Sequence, residues 1–169
     1  INKNITDENI YGAMKQAIEL GWTSVKLYFM IGLPTETNED LEGIAKIVRG
    51  VIYTFKQRGT NKAKGIKIAI GCATFVPKAQ TPFQWVGQVT REQAEAKQEH
   101  LRENMKIKNV NLSTHYSVSS YLEAVFARGD RRLAPVIVRA HELGCNLDGW
   151  DENFKPDMWL QAFKDCGVD

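Results

Sequence analysis

The sequence predicts an α/β chain built on parallel strands and followed by a mainly helical extension. Three observations carry that expectation. Two apolar runs rich in β-branched and aromatic residues stand at 25–31 and 66–76, a long amphipathic stretch lies between them, and beyond about residue 90 helical spacing dominates. The division expected is a βα portion over 1–90 and a helical portion over 91–169.

The elements follow in order. Thr6 caps a helix over about 7–20, in which Ile10, Met14, Ala17 and Ile18 recur at helical spacing and Gly21 supplies the stop. Val25 to Ile31 is apolar nearly throughout and reads as a strand buried on both faces, as in parallel sheets. After the turn Gly32-Leu33-Pro34-Thr35-Glu36-Thr37, Thr37 or Asn38 caps a long helix with acids in its first turn. Leu41, Ile44, Ile47, Val48, Val51, Ile52 and Phe55 form its apolar stripe, and Lys56, Arg58 and Gly59 end it. Ile66 to Val76 is the second strand. Strand, helix, strand is one βαβ unit, so the two strands are expected to be parallel with a right-handed crossover. The helix at 7–20 implies a further strand upstream, and the opening Ile1-Asn2-Lys3-Asn4 reads as the tail of a preceding element.

Beyond 76 the pattern changes. Pro77 and Pro82 bracket a loop with Phe83 and Trp85. Thr90 with Gln93 is a capping box for a charged helix to about 105, with Leu101 and Met105 as its apolar pair. Lys106 to His115 is expected as a short edge strand. Ser120 with Glu123 is expected to cap a helix carrying Tyr121, Leu122, Val125 and Phe126. Another helix runs from near Arg132 to Leu143 and stops at Gly144. Pro156 opens the last, with Met158, Trp159, Ala162 and Phe163 inward.

The totals exclude several classes. The hydrophobic fraction of 43% and charged fraction of 25% over 169 residues are those of a globular protein with a real core. A net charge of +2 does not support nucleic-acid binding, which needs a clustered basic face. Lys62, Lys64 and Lys67 make only a small basic loop. No apolar run approaches the roughly 20 residues of a membrane helix, and no signal peptide opens the chain. Cys72, Cys145 and Cys166 are odd in number and far apart, which argues for a reducing cytoplasm and against a disulfide framework. None stands in a ligand spacing, so no metal site is expected from this chain.

Chemistry in parallel sheets sits at the carboxyl ends of the strands. Two such ends exist here: Gly32 to Thr37, and Phe75-Val76-Pro77-Lys78. Gly32 would let a ligand approach the backbone, and Pro34 stiffens the turn. Elsewhere His100, His115 and His141 are scattered, His100 on a helix where a solvated role is expected. Ser113, Ser117, Ser119 and Ser120 suit a helix cap better than a nucleophile. Glu36 and Asp40 read as first-turn helix acids. Arg128, Asp130, Arg131 and Arg132 read as a salt-bridged helix junction or as a substrate contact.

The stretch Tyr28-Phe29-Met30-Ile31-Gly32-Leu33-Pro34-Thr35-Glu36-Thr37 resembles the G-x-I-x-G-x-x-E region on the fifth strand of radical S-adenosylmethionine (SAM) barrels. It is closest to variants reading I-x-G-[LF]-P-G-E-T. Tyr28 stands for the first glycine, Met30 for the isoleucine and Thr35 for a glycine, and Glu36 sits one place later than in the strict form. Phe75 to Trp85 looks like the sixth-strand region of the same enzymes. Tyr121 to Arg132, with Leu147-Asp148-Gly149-Trp150, resembles the tail of an uncharacterised subgroup that often carries a cobalamin-binding-like N-terminal domain.

The resemblance implies the second half of a partial (βα)6 barrel, residues 1–90, followed by a C-terminal extension. A 4Fe–4S cluster held by C-x3-C-x2-C and chelated by SAM would lie upstream, and cobalamin would belong to an N-terminal domain. Met30, Ile31, Gly32, Leu33, Pro34, Phe75, Val76 and Pro77 would line SAM, and Lys78, Arg128 and Arg131 would face substrate at the barrel mouth. No catalytic or metal-ligating residue is expected in this chain. The implied function is a cytoplasmic Fe–S oxidoreductase of unidentified substrate, inactive without its N-terminal half. A radical methyl- or methylthio-transferase acting on RNA or ribosomal protein is the alternative, as is a non-catalytic βα binding module. The exposed sheet edge would favour a homodimer of the chain alone.

Overall fold

A computed structural model describes residues 4–59, 65–150 and 152–168. Lys62 and Lys64 of the basic loop, and the opening Ile1 to Lys3, lie outside the described residues. The chain forms two compact units: Ile1–Phe75 with Val89–His115, and Val76–Gln88 with Tyr116–Asp169. The first unit therefore resumes near the expected boundary at 90 and takes in the next helix and strand.

That first unit holds α1 (Asp7–Glu19), β1 (Ser24–Ile31), α2 (Asn38–Arg58), β2 (Lys67–Thr74), α3 (Arg91–Asn104) and β3 (Val110–Thr114). Each helix starts where a short polar side chain can satisfy free amides. Thr6, Thr37 and Thr90 each form a full capping box, with Asn9, Asp40 and Gln93 as the reciprocal partners. The strands form one parallel sheet in the order β1-β2-β3. Lys26 pairs with Ala69 and Ala69 with Asn111; one layer up, Tyr28 pairs with Gly71 and Gly71 with Ser113. β2 ends at Thr74, two residues short of the expected Val76, and Phe75 adds one last backbone bond to Ile31.

A strand of period two presents alternate residues to opposite faces. One face carries Ile31, Ile68, Ile70 and Cys72, all buried against Ile18 of α1, the stripe Leu41, Ile44, Val48, Val51 and Phe55 of α2, and Leu101 of α3. Burying each such side chain contributes about 1.5–3 kcal/mol. The other face is open. Tyr28 is 74% and Met30 39% exposed, and Lys26 beside them is also exposed. The expectation that β1 is buried on both faces is thus corrected. Its run is apolar, but Lys26, Tyr28 and Met30 alternate with Val25, Leu27, Phe29 and Ile31, and only the second set packs on helices.

The second unit holds α4 (Ser117–Arg128), α5 (Leu133–Glu142) and α6 (Pro156–Asp165). Leu122, Val136, Ala140, Trp159 and Ala162 form its core, and the Phe126 ring meets Trp159 edge-on at 5.5 Å. Met158 and Phe163 pack against that core, as their spacing predicts. Arg139 bonds Glu142 on its own helix and Asp165 on α6, at 3.1 and 2.7 Å, tying the two helices together. α4 begins three residues before the expected cap. Ser120 is buried inside the helix, with its hydroxyl 3.5 Å from the Tyr116 carbonyl, so it cannot also serve as the N-cap. Among the described residues no helix is long and apolar enough to cross a membrane.

Candidate functional site

The turn leaving β1 is constrained both in its backbone and in the space around it. Gly32 has φ 80°, and a Cβ added there would lie 2.9 Å from Val89 Cγ2. Only glycine satisfies both conditions without strain. Three residues on, Thr35 adopts φ 65°. A β-branched side chain in the left-handed region is unusual and costs on the order of 1–2 kcal/mol.

Glu36 holds this turn closed. Its Oε2 accepts the Gly32 N–H at 2.8 Å and the Lys97 ammonium from α3 at 2.9 Å. The carboxylate side chain is 6% exposed and the lysine 19%. Glu36 precedes the Thr37 cap and folds back, so it is not the first-turn helix acid expected. Asp40 does take that place, accepting the Thr37 N–H at 2.8 Å. Those bonds hold the Asp40 carboxyl below its ordinary pKa. Nearby on the covered face, burial first and Glu36 second push the Cys72 thiol up to about 12, which keeps it protonated and inert. Thr74 Oγ1 is buried beside it without a hydrogen-bond partner among the described residues.

Above the turn, the open face of the sheet floors a cavity of about 810 Å³. The middle strand contributes only Gly71 and Ala73 there, while Lys26, Tyr28 and Met30 rise on one side and Ser113 and His115 on the other. The Tyr28 ring lies against Gly71, where an added Cβ would be 3.1 Å from its Cδ1, and Lys26 Nζ stands 5.0 Å above the same ring. His115 is pinned through its backbone: its N–H donates to Cys72 O at 3.2 Å, and its carbonyl accepts from buried Gln98 at 2.9 Å.

Of the residues expected to line SAM, Met30 and Leu33 line this cavity, Gly32 and Pro34 form the turn beneath it, and Ile31 faces the covered core. Phe75 is buried in the first unit; Val76 and Pro77 are buried in the second. The expected mouth residues all lie in the second unit. Lys78 forms an ion pair with Glu123, Arg128 donates to the Val86 carbonyl at 3.0 Å, and Arg131 is exposed. Asp130 pairs with Arg132 at 3.0 Å, the salt-bridged junction between α4 and α5. Trp85 is 86% exposed, whereas Phe83 is half-buried.

Sequence reasoning singled out neither Lys26 nor Lys97, set His115 aside as scattered, and read Ser113 as a helix-cap serine, whereas it lies within β3. The alternation within β1 pointed to Lys26, but nothing local points to Lys97 or His115, which the fold brings in from 66 and 84 residues beyond Ile31. His100 is half-buried and not solvated as expected; its Nε2 lies 3.7 Å from Glu42 and has no hydrogen-bond partner among the described residues. Among those residues no three His, Cys, Asp or Glu side chains gather as a metal site.

Compared with known proteins, the chain is 26% identical over 168 residues to an uncharacterized protein of Methanocaldococcus jannaschii. The match covers 99% of this chain and 35% of that protein, so the chain spans about a third of the relative's length. No protein-family model matches the chain. No solved structure matches it.

Proposed function

We propose that the chain is the second half of the core barrel of a radical SAM enzyme, an iron–sulfur oxidoreductase of the cytoplasm, with its C-terminal extension. The observation that carries this reading is the backbone of Thr35. It takes φ 65° at the position where the I-x-G-[LF]-P-G-E-T motif has glycine. A left-handed backbone is the conformation that would explain a glycine at that place in the motif. The location agrees, since the turn stands at the carboxyl end of a parallel strand, beside a cavity on the open sheet face.

The roles assigned to this chain are binding and positioning. Gly32 would offer its close-approach backbone to the adenine edge, Met30 and Leu33 apolar contact, and Phe75 the next strand end. Glu36 and Lys97 would hold the turn in that shape. The three thiols do not gather as a cluster site among the described residues, and two of them, Cys72 and Cys145, are buried, which raises their pKa. The cluster ligands are therefore assigned to residues outside this chain. When bound, cluster and SAM would supply a 5′-deoxyadenosyl radical that takes hydrogen from the substrate, and the protein's part is to orient and to exclude water.

The test is the coding sequence upstream of Ile1. With about 30 residues per βα unit, a cluster loop is expected roughly 90–150 residues before it. C-x3-C-x2-C in that window supports the enzyme. An upstream half without those cysteines, or a natural start at Ile1, leaves only a βα binding module.

A further inference from the structure

The cavity on the open face has a one-sided chemistry. Its lining includes Lys26, His115, Ser113, Tyr28, Thr6 and Asn4, and among the described residues no Asp or Glu. The other two lysines singled out in the structure are neutralised by carboxylates, Lys97 by Glu36 and Lys78 by Glu123. Lys26 has no carboxylate partner among the described residues. It is held instead over the Tyr28 ring, 5.0 Å from the centroid. A cation fixed by an aromatic face keeps its N–H donors for a ligand.

The register sets the size of what could fit. Lys26, Ala69 and Asn111 form one layer across the sheet, and Tyr28, Gly71 and Ser113 the next. Adjacent strands lie about 4.8 Å apart, so the outer strands flank a floor of small residues roughly 10 Å wide. A Cβ at Gly71 would press on the Tyr28 ring, 3.1 Å from Cδ1 and 3.3 Å from Cε1, so the centre of the floor is kept low. A small organic molecule bearing one anionic group fits that trough.

We infer that the open sheet face is an anion-binding subsite, with Lys26 as counter-ion and Ser113 and His115 as facing donors, that takes a carboxylate or phosphate of the substrate. The word substrate rests on the radical SAM reading; the subsite itself rests on the residues just described. Charge-assisted hydrogen bonds are about twice as strong as neutral ones, so the lysine should dominate binding.

The experiment is an amide NMR titration of the 169-residue chain with inorganic phosphate and, separately, with acetate at matched ionic strength. Saturable shifts at Gly71, Ser113 and His115 are expected with at least one of the two. Lys26→Gln should weaken them roughly tenfold, about 1.4 kcal/mol, Lys26→Arg should restore them, and Lys46→Gln on the exposed side of α2 should change nothing. Saturation by phosphate alone assigns a phosphoester substrate, and by acetate alone a carboxylate. Non-saturating shifts with both anions, or equal loss in Lys26→Gln and Lys46→Gln, overturn the subsite. Should Lys26→Gln lose its dispersed spectrum, Ser113→Ala gives the same readout at the opposite wall. The upstream-cysteine test bears on the enzyme class alone, so the two ideas fail separately.

Discussion

The two faces of the three-stranded sheet share one backbone and differ in everything else. On the covered face Ile68, Ile70 and Cys72 alternate down β2 and are sealed by three helices. On the open face the same strand offers Lys67, Ala69, Gly71 and Ala73, between walls that bear a lysine, a tyrosine and a histidine. Helices cover the large apolar groups of one face, while on the other Tyr28 and Met30 stand exposed beside Lys26 and a floor of small residues. The first face supplies stability. The second leaves Lys26, Tyr28 and Met30 exposed to solvent, as a binding surface requires.

Substitutions should separate the faces. Ile70→Ala removes a side chain that is 1% exposed and should cost about 3–4 kcal/mol in chemical denaturation. Met30→Ala on the open face should cost less than about 1 kcal/mol. Similar costs at both positions would mean that the open face is packed in solution.

The clasp joining the faces comes next in size. Lys97→Met leaves the Glu36 carboxylate buried without its ammonium and should cost about 3 kcal/mol. Glu36→Gln keeps an acceptor for the Gly32 N–H and should cost less in the same assay. Gly32→Ala should destabilise by about 2 kcal/mol through its positive φ and its contact with Val89. Adding Val89→Ala should recover the steric part but not the backbone part, which a double-mutant cycle measures. Thr35→Gly should have the opposite sign, stabilising by about 1 kcal/mol as the left-handed strain is relieved.

The smallest effect concerns pH. Hydrogen bonds from the Thr37 backbone and side chain depress the Asp40 pKa. A depressed carboxyl stabilises the fold above its unfolded value and loses that contribution as pH falls through the folded one. The advantage of the parent over Asp40→Asn should therefore be full at pH 7 and shrink below about pH 4. An advantage independent of pH would assign it to shape and not to charge.

Much of the fold was legible because its signals are local. The cap at Thr6, the capping box at Thr90, the stripe of α2, the Gly144 stop and Pro156 opening α6 depend on residues within a few positions. What covers each face of β1 was not legible. An apolar run gives strand propensity, and only the three-dimensional placement of α1 to α3 decides which alternate set is buried. Ser120 misled for a related reason: a serine three residues before a glutamate is a cap signal, but here it is buried within the helix. The turn at Gly32 was found from sequence, whereas Glu36's role was not, because its partner Lys97 lies 61 residues away. Thr35's left-handed backbone was hidden by its side chain, since threonine gives no local sign of a positive φ.

The most direct test of the central claim is anaerobic reconstitution of the full-length protein with iron and sulfide, followed by reduction in the presence of SAM. If the protein is the radical SAM enzyme proposed, 5′-deoxyadenosine is the expected product, its formation weakened by Gly32→Ala through a raised KM for SAM. A reconstituted protein that carries a reducible cluster yet forms no 5′-deoxyadenosine would contradict it, as would one that binds no cluster at all.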